Sequence, residues 1–186
     1  MILPIVAFGA PILRKKCVDI TPDYPELDIL LANMWKTMYE ACGVGLAAPQ
    51  INKGIRLFLI DTTPFVEDEE ETAEEIVKQA FINARIIEET GEEWDFNEGC
   101  LSIPDVREDV SRKSTVTIEY MDENFKKHTD TYEGLTARVI QHEYDHIDGI
   151  LFTDKLTALR KRMIKGKLMD ISKGKVNAAY KMRFSR

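Results

Sequence analysis

The sequence predicts an α+β fold, with mostly antiparallel strands packed against helices. Three observations carry this. Apolar residues recur at helical spacing in three separate stretches, and short runs of β-formers lie between them. Nowhere do strand and helix alternate in the rhythm of a parallel sheet. With 186 residues, 44% hydrophobic and 31% charged, the chain has the size and composition of one globular domain over residues 1–186.

The first helix is expected over residues 26–42. Leu27, Leu30, Leu31, Met34, Trp35, Met38 and Ala41 follow the i, i+3, i+4, i+7 rule, Pro25 suits a first turn, and Gly43 ends the run. Residues 55–61 form a short apolar strand. Residues 81–89 and 115–121 form two more, the latter alternating Val116, Ile118 and Tyr120 with polar neighbours. Asp122-Glu123-Asn124 turns the chain into a return strand near 125–132. A helix follows over about 134–147, stopped by Gly149. A last helix spans about 155–169, with Leu156, Leu159, Met163, Ile164 and Leu168 as its apolar stripe, and residues 176–184 make a final strand.

Charge is unevenly spread. Residues 155–186, the basic C-terminal helix and tail, hold eleven Lys or Arg against Asp170 alone, a net of +10. The other 154 residues therefore carry −17 of the overall −7. Seven of those acids crowd into Glu67–Glu75, so 62–76 is expected to be a solvated acidic loop or insertion. No apolar run reaches membrane-spanning length, and the start, Met1 to Ala7, lacks a basic region and is broken by Pro4. Three widely spaced cysteines fit a reducing cytoplasm better than a disulfide framework. Neither a membrane nor DNA is expected as a partner.

Chemistry concentrates in Gln141-His142-Glu143-Tyr144-Asp145-His146, which reads H-E-x-x-H. Residues four apart on a helix sit one above the other, so both imidazoles can reach a single metal ion. Glu143 projects from the edge of the same face, where it can take a proton from a water that the metal activates. That pattern serves metal-assisted hydrolysis of an amide. His142, His146, Val139 and Leu135 fall within roughly 60° of one another around the helix. Ile140, Tyr144 and Ile147 face the other way, so this metal-binding helix is central, buried on two sides.

Two histidines leave a catalytic site one protein ligand short. In the longer protease pattern H-E-x-x-H-x-x-G-x-x-H, Gly149 matches but Phe152 stands where the last His should be, which weighs against an ordinary peptidase. From Ile147 to Arg186 there is no His, Cys or Glu. The third ligand lies upstream, among Cys17, Cys42, Cys100 and His128, unless Asp148 or Asp154 serves. A purely structural metal site would leave Glu143 unexplained.

Cys100 sits in Asn97-Glu98-Gly99-Cys100-Leu101-Ser102-Ile103-Pro104, where glycine and proline imply a tight, irregular backbone. Together with Gly43-Val44-Gly45-Leu46-Ala47-Ala48-Pro49-Gln50, the chain resembles the peptide deformylase family. Its three motifs, G-φ-G-L-A-A-P-Q, E-G-C-L-S and Q-H-E-x-D-H, occur in order without a mismatch, over roughly residues 1 to 155. The resemblance implies removal of the formyl group from N-formylmethionine on new polypeptides, in the cytoplasm. It implies one divalent metal on Cys100, His142 and His146, with Fe²⁺ native and Zn²⁺, Ni²⁺ or Co²⁺ able to replace it. Glu143 is then general base and acid, and the Gln50 amide and Leu101 N–H meet the oxyanion. Gly43, Val44, Gly45, Leu46 and Gly99 lie beside the substrate, Val44, Leu135 and Val139 against its methionine, and Arg107 faces the peptide. Glu98, Arg112 and Asp145 order the surroundings of the metal. The basic C-terminal segment suggests either a ribosome contact or an intramolecular role, with the basic helix set against the acidic remainder of the domain and its apolar stripe in the core.

Overall fold

The computed structural model describes residues 1–67 and 76–184. Strand β1 (Ile5–Val6) leads through a 3-10 turn at Pro11–Arg14 to helix α1 (Leu27–Glu40). Strands β2 (Gly45–Ala47) and β3 (Leu57–Asp61) flank a second 3-10 turn, Ala48–Ile51, and a short helix α2 (Thr63–Glu67) follows. Next come two long strands, β4 (Lys78–Cys100) and β5 (Ile103–Met121), then β6 (Lys127–Glu133). The motif helix α3 (Gly134–Ile147), helix α4 (Ala158–Ser172) and strand β7 (Met182–Arg183) complete the order. Most of the acidic run, residues 68–75, lies outside the described residues.

The strands form one antiparallel sheet in the order β2-β3-β4-β5-β6, and β7 pairs with β1 in parallel. The fold is therefore α+β, as expected. Strand β3 is buried on both faces, and its alternate residues serve two cores. Leu57 and Leu59 join Leu30, Leu31, Met34 and Met38 of α1. Phe58 and Ile60 join Ala137, Ile140 and Ile147 of α3. The motif helix is thus pinned against the sheet by its apolar face while its histidines point the other way.

Helices α1 and α3 lie where the sequence places them, within a residue or two. The main departure is the β4–β5 hairpin. The strands expected at 81–89 and 115–121 are only its far ends, and pairing continues down to Cys100 and Ile103. Register shifts at Ile82/Arg85, Ile86/Glu88 and Thr90/Glu93 bend this ribbon. Hydrophobic alternation misses the extension because inward positions carry Glu98, Glu108 and Arg112, all buried.

Helix α4 also differs. It starts after a 3-10 turn at Phe152–Lys155, capped by Thr157, whose side chain accepts from the Arg160 N–H. Its inward face is Ile164, Leu168 and Ile171, packed with Leu151, Phe152 and Val106. Leu159 and Met163, expected in the stripe, are 66% and 63% exposed. Basic residues all around this helix blur its amphipathic signal, and the half-exposed Arg160 reaches the buried Glu108 from the surface. Of the final strand expected at 176–184, only Met182 and Arg183 pair.

Candidate active site and metal centre

Helix α3 begins at Gly134, with φ of 58°, and ends before Gly149, with φ of +77°. A side chain at Gly149 would lie 2.8 Å from the Arg14 carbonyl oxygen, so the chain can turn there only without one. Between those ends, one helical turn puts the His142 and His146 ring centroids 5.2 Å apart at 74° to each other. The third donor comes from the sheet. Cys100 ends β4 opposite Ile103, so Leu101 and Ser102 make a two-residue turn at the tip of the hairpin. Cys100 Sγ lies 3.2 Å from His146 Nε2. The donor atoms of Cys100, His142 and His146 all fall within 4.8 Å of one another.

The other candidate ligands are engaged elsewhere. Cys17 is buried in the core behind α3. His128 bonds Asp122 at 2.8 Å and stacks on Tyr120, Asp148 pairs with the buried Arg56, and Asp154 pairs with Arg14. Cys42 lines the rim of the cleft and is exposed.

The cluster suits a divalent metal. His142 Nδ1 donates to Glu98 Oε2 at 2.9 Å, which leaves Nε2 for the ion, the usual carboxylate–histidine support. Burial disfavours charging His142, yet hydrogen bonds to Cys100 and Glu98 lift its pKa to about 10. A ligating imidazole must be neutral, so a metal on His142 would displace that proton. Burial, with His142 and Arg112 nearby, pushes His146 well down, so its imidazole stays neutral, as a ligand must be.

Beneath the histidines lies a buried ionic network. Arg112 grips Glu98 with two bonds, of 2.7 and 3.0 Å, and reaches Asp145 at 2.7 Å. Arg138 adds a bond to Glu98 at 2.9 Å, donates to the Trp94 and Val110 carbonyls, and packs over the Trp94 ring. Burial would raise the Glu98 carboxyl, but His142 and Arg112 hold it far below the usual carboxylate range. Removing one partner from such a network leaves an unpaired buried charge, at a cost of roughly 3–5 kcal/mol. Arg138 was not singled out in the sequence. Its only signal is a charged residue beside Val139, on a helix buried on two sides.

Glu143 is 4% exposed, and its Oε2 has no hydrogen-bond partner among the described residues. Burial pushes its carboxyl up to about 7, against the pull of His142, where a group can both take and return a proton near neutral pH. Gly45 makes room for it: a Cβ there would lie 2.5 Å from Glu143 Oε1. Gln50 is 1% exposed. Its Oε1 accepts from the Ala47 N–H at 2.8 Å, which turns Nε2 toward Cys100 Sγ and Ser102 Oγ, at 3.5 and 3.4 Å.

These groups line a cleft of about 630 Å³ whose walls include Gly43, Val44, Leu101, Arg107 and Val139. Gly99 lines it too, its α-carbon face covered by the Arg107 side chain, which bonds Asn97. Leu46 is instead fully buried in the α1 core, so it can offer only backbone to a substrate. Leu135 sits half-buried on the first turn of α3 and is not part of the wall. Phe65, Phe96, Asp105 and Tyr180 are lining residues that sequence motifs did not indicate. Strand β2 ends the sheet, so its outer edge faces away from β3.

Residues 2–162 match the family model for polypeptide deformylase. The peptide deformylase of Christiangramia forsetii is 65% identical, over 99% of this chain and 96% of its own length. That of Cytophaga hutchinsonii is 50% identical, over 99% and 98%. Among solved structures, a Legionella pneumophila peptide deformylase superposes with a TM-score of 0.79 at 38% identity, covering 94% of this chain and 98% of its own. The Thermotoga maritima peptide deformylase gives 0.74 at 32% identity, covering 84% and 99%.

Proposed function

We propose, from the premise that this chain belongs to the polypeptide deformylase family, a role for each group in the cleft. The enzyme is a metal-dependent hydrolase that removes the N-formyl group from nascent polypeptides and releases formate. The observation that carries the assignment is the buried Glu143 carboxylate beside the Cys100–His142–His146 cluster, its Oε2 without a hydrogen-bond partner among the described residues. When bound there, the metal acidifies a water and polarises the formyl carbonyl. Glu143 takes the proton of the attacking water and returns it to the departing amine. The Gln50 amide, aimed by Ala47, and the Leu101 N–H donate to the oxyanion. Glu98 fixes the ring of His142, Arg112 and Arg138 hold Glu98, and Asp145 holds Arg112 in turn.

The peptide adds along the outer edge of β2, past Gly43, Val44, Gly45 and the Leu46 backbone. Val44 and Val139 take the methionine side chain, whose flexible thioether suits an apolar wall. Arg107, exposed at the rim, meets the peptide beyond it. Fe²⁺ is the proposed native ion, with Zn²⁺, Ni²⁺ or Co²⁺ able to replace it, since one thiolate and two imidazoles suit all four. Anaerobic purification, metal analysis and assay on formyl-Met and acetyl-Met peptides test these roles together. Stoichiometric metal with hydrolysis of the formyl peptide alone is expected. Equal hydrolysis of the acetyl peptide, or full turnover after metal removal, overturns them.

The working place is the cytoplasm, and no helix among the described residues is long and apolar enough to cross a membrane. Helix α4 docks on the ribosome. Some of its basic residues, and Lys155 just before it, serve the domain itself: Arg160 pairs with the buried Glu108, Lys155 lies 3.3 Å from Asp145, and Lys161 donates to the Asp154 carbonyl. Arg162, Lys165 and Lys167 remain exposed, alongside the exposed Leu159 and Met163. Reversing those three charges to Glu is expected to abolish co-sedimentation with ribosomes and leave free-peptide hydrolysis intact. Binding should also weaken steeply as salt rises. Salt-insensitive co-sedimentation, or none by the unaltered protein at low salt, counts against docking.

A further inference from the structure

The tail after α4 does more than end the chain. It turns at Gly174, with φ of +74°, and its Lys175 N–H bonds the Asp170 carbonyl at 2.8 Å. It returns to the N-terminus as β7, with Ile5 N–H donating to the Lys181 carbonyl at 2.9 Å and Phe184 packed back over Gly174. Between those anchors, Asn177, Ala178, Ala179 and Tyr180 form part of the wall of the same cleft that holds Cys100 and Glu143. The tail is a strap held at both ends, with its middle across the catalytic cleft.

One polar contact joins the strap to the reacting groups. The Tyr180 hydroxyl donates to the Leu101 carbonyl at 2.7 Å, across 79 residues of sequence, with its ring packed on the α1 core beside Leu101. The next carbonyl, that of Ser102, accepts from the Phe8 N–H at 2.8 Å. Both carbonyls of the two-residue turn are therefore held by segments outside the hairpin. The Leu101 N–H belongs to the preceding, planar Cys100–Leu101 peptide. Pinning the next two peptides of so short a turn limits how far that N–H can tilt, through the two Leu101 torsions that join them.

We propose that Tyr180 is a positioning residue for deformylation: its hydroxyl holds the Leu101–Ser102 turn so that the Leu101 N–H meets the oxyanion. This rests on the role given above to that N–H. A donor pre-aimed at developing charge acts in the transition state and contributes little to ground-state binding. Loss of the aim therefore shows in kcat more than in KM. Deleting an oxyanion donor outright costs a hundredfold or more, and loosening one costs a part of that, about tenfold.

The test is Tyr180→Phe in the metal-loaded full chain, which keeps the ring and removes the hydroxyl. We expect kcat on a formyl-Met peptide to fall about tenfold, with KM and metal content unchanged and Tm lowered by no more than the few degrees that one hydrogen bond is worth. Amide hydrogen exchange should accelerate at residues 100–103 and nowhere in α1 or α3. A kcat within twofold of the unaltered enzyme overturns the proposal. So does a loss of turnover that arrives with lost metal or with a Tm drop of about ten degrees or more, on the order of several hydrogen bonds, because Tyr180 then only supports the fold. Failure of the unaltered enzyme to act on formyl peptides would refute the catalytic assignment instead, and an active enzyme with a silent Tyr180→Phe refutes this inference alone.

Discussion

Replacing Glu143 with Gln should lower turnover of formyl-Met peptides by at least about a hundredfold while the metal stays bound, the low end of what losing a general base costs. Glutamine has the same shape, so it fits the space that Gly45 leaves beside the carboxylate. It also keeps the helix and the histidines in place. What disappears is the ability to accept a proton at a buried oxygen that has no other partner among the described residues. Metal analysis and kcat on the same preparation check this. Near-normal turnover by metal-loaded Glu143→Gln would mean the proton goes elsewhere.

Cys100→Ala should remove both metal and activity. The thiolate is the one anionic donor among the three, and its sulfur sits 3.2 Å from His146 Nε2. Without it two imidazoles remain, and metal held by two ligands exchanges readily. Metal binding also stabilises the fold, by about 2.7 kcal/mol when free metal is a hundred times the dissociation constant. A chelator should therefore lower the Tm of the unaltered enzyme and leave that of Cys100→Ala almost unmoved. Cys100→Ser, with a harder oxygen donor, should shift metal preference as well as weaken retention. If Cys100→Ala keeps stoichiometric metal and full turnover, the ligand assignment fails.

Much of the site was legible because its chemistry is local. The i, i+4 spacing of His142 and His146 on a helix bounded by Gly134 and Gly149 needs nothing from the rest of the chain. The same holds for α1, whose apolar stripe and final glycine set its extent. Cys100 was different. Sequence alone narrowed the third ligand to several candidates, and the family motif chose among them. In the structure a hairpin tip brings Cys100 within bonding reach of residue 146.

The long hairpin was not legible beyond residue 89 on one strand or before residue 115 on the other. Its inward positions alternate as a strand should, but Glu98, Glu108 and Arg112 occupy them. A charge at an inward position reads as solvent-facing until its partner is known. Those partners come from α3 and α4: Arg138 and Asp145 for the Glu98–Arg112 pair, Arg160 for Glu108. Helix α4 hid its inward face for the same reason, since the half-exposed Arg160 has a buried partner while Arg162, Lys165 and Lys167 lie exposed.

The sequence by itself thus determined the elements whose signal is a short-range period, the metal-binding helix with its base, and the three motifs of the family. Only the tertiary structure decided which charges are buried, which face of α4 is exposed, that Leu46 belongs to the core, and that Tyr180 crosses the cleft to reach Leu101. The physical reason is range. Helical and strand periods are set by neighbours a few residues away, whereas the sign of a buried charge's energy depends on a partner 14 to 52 residues distant, which no local pattern encodes.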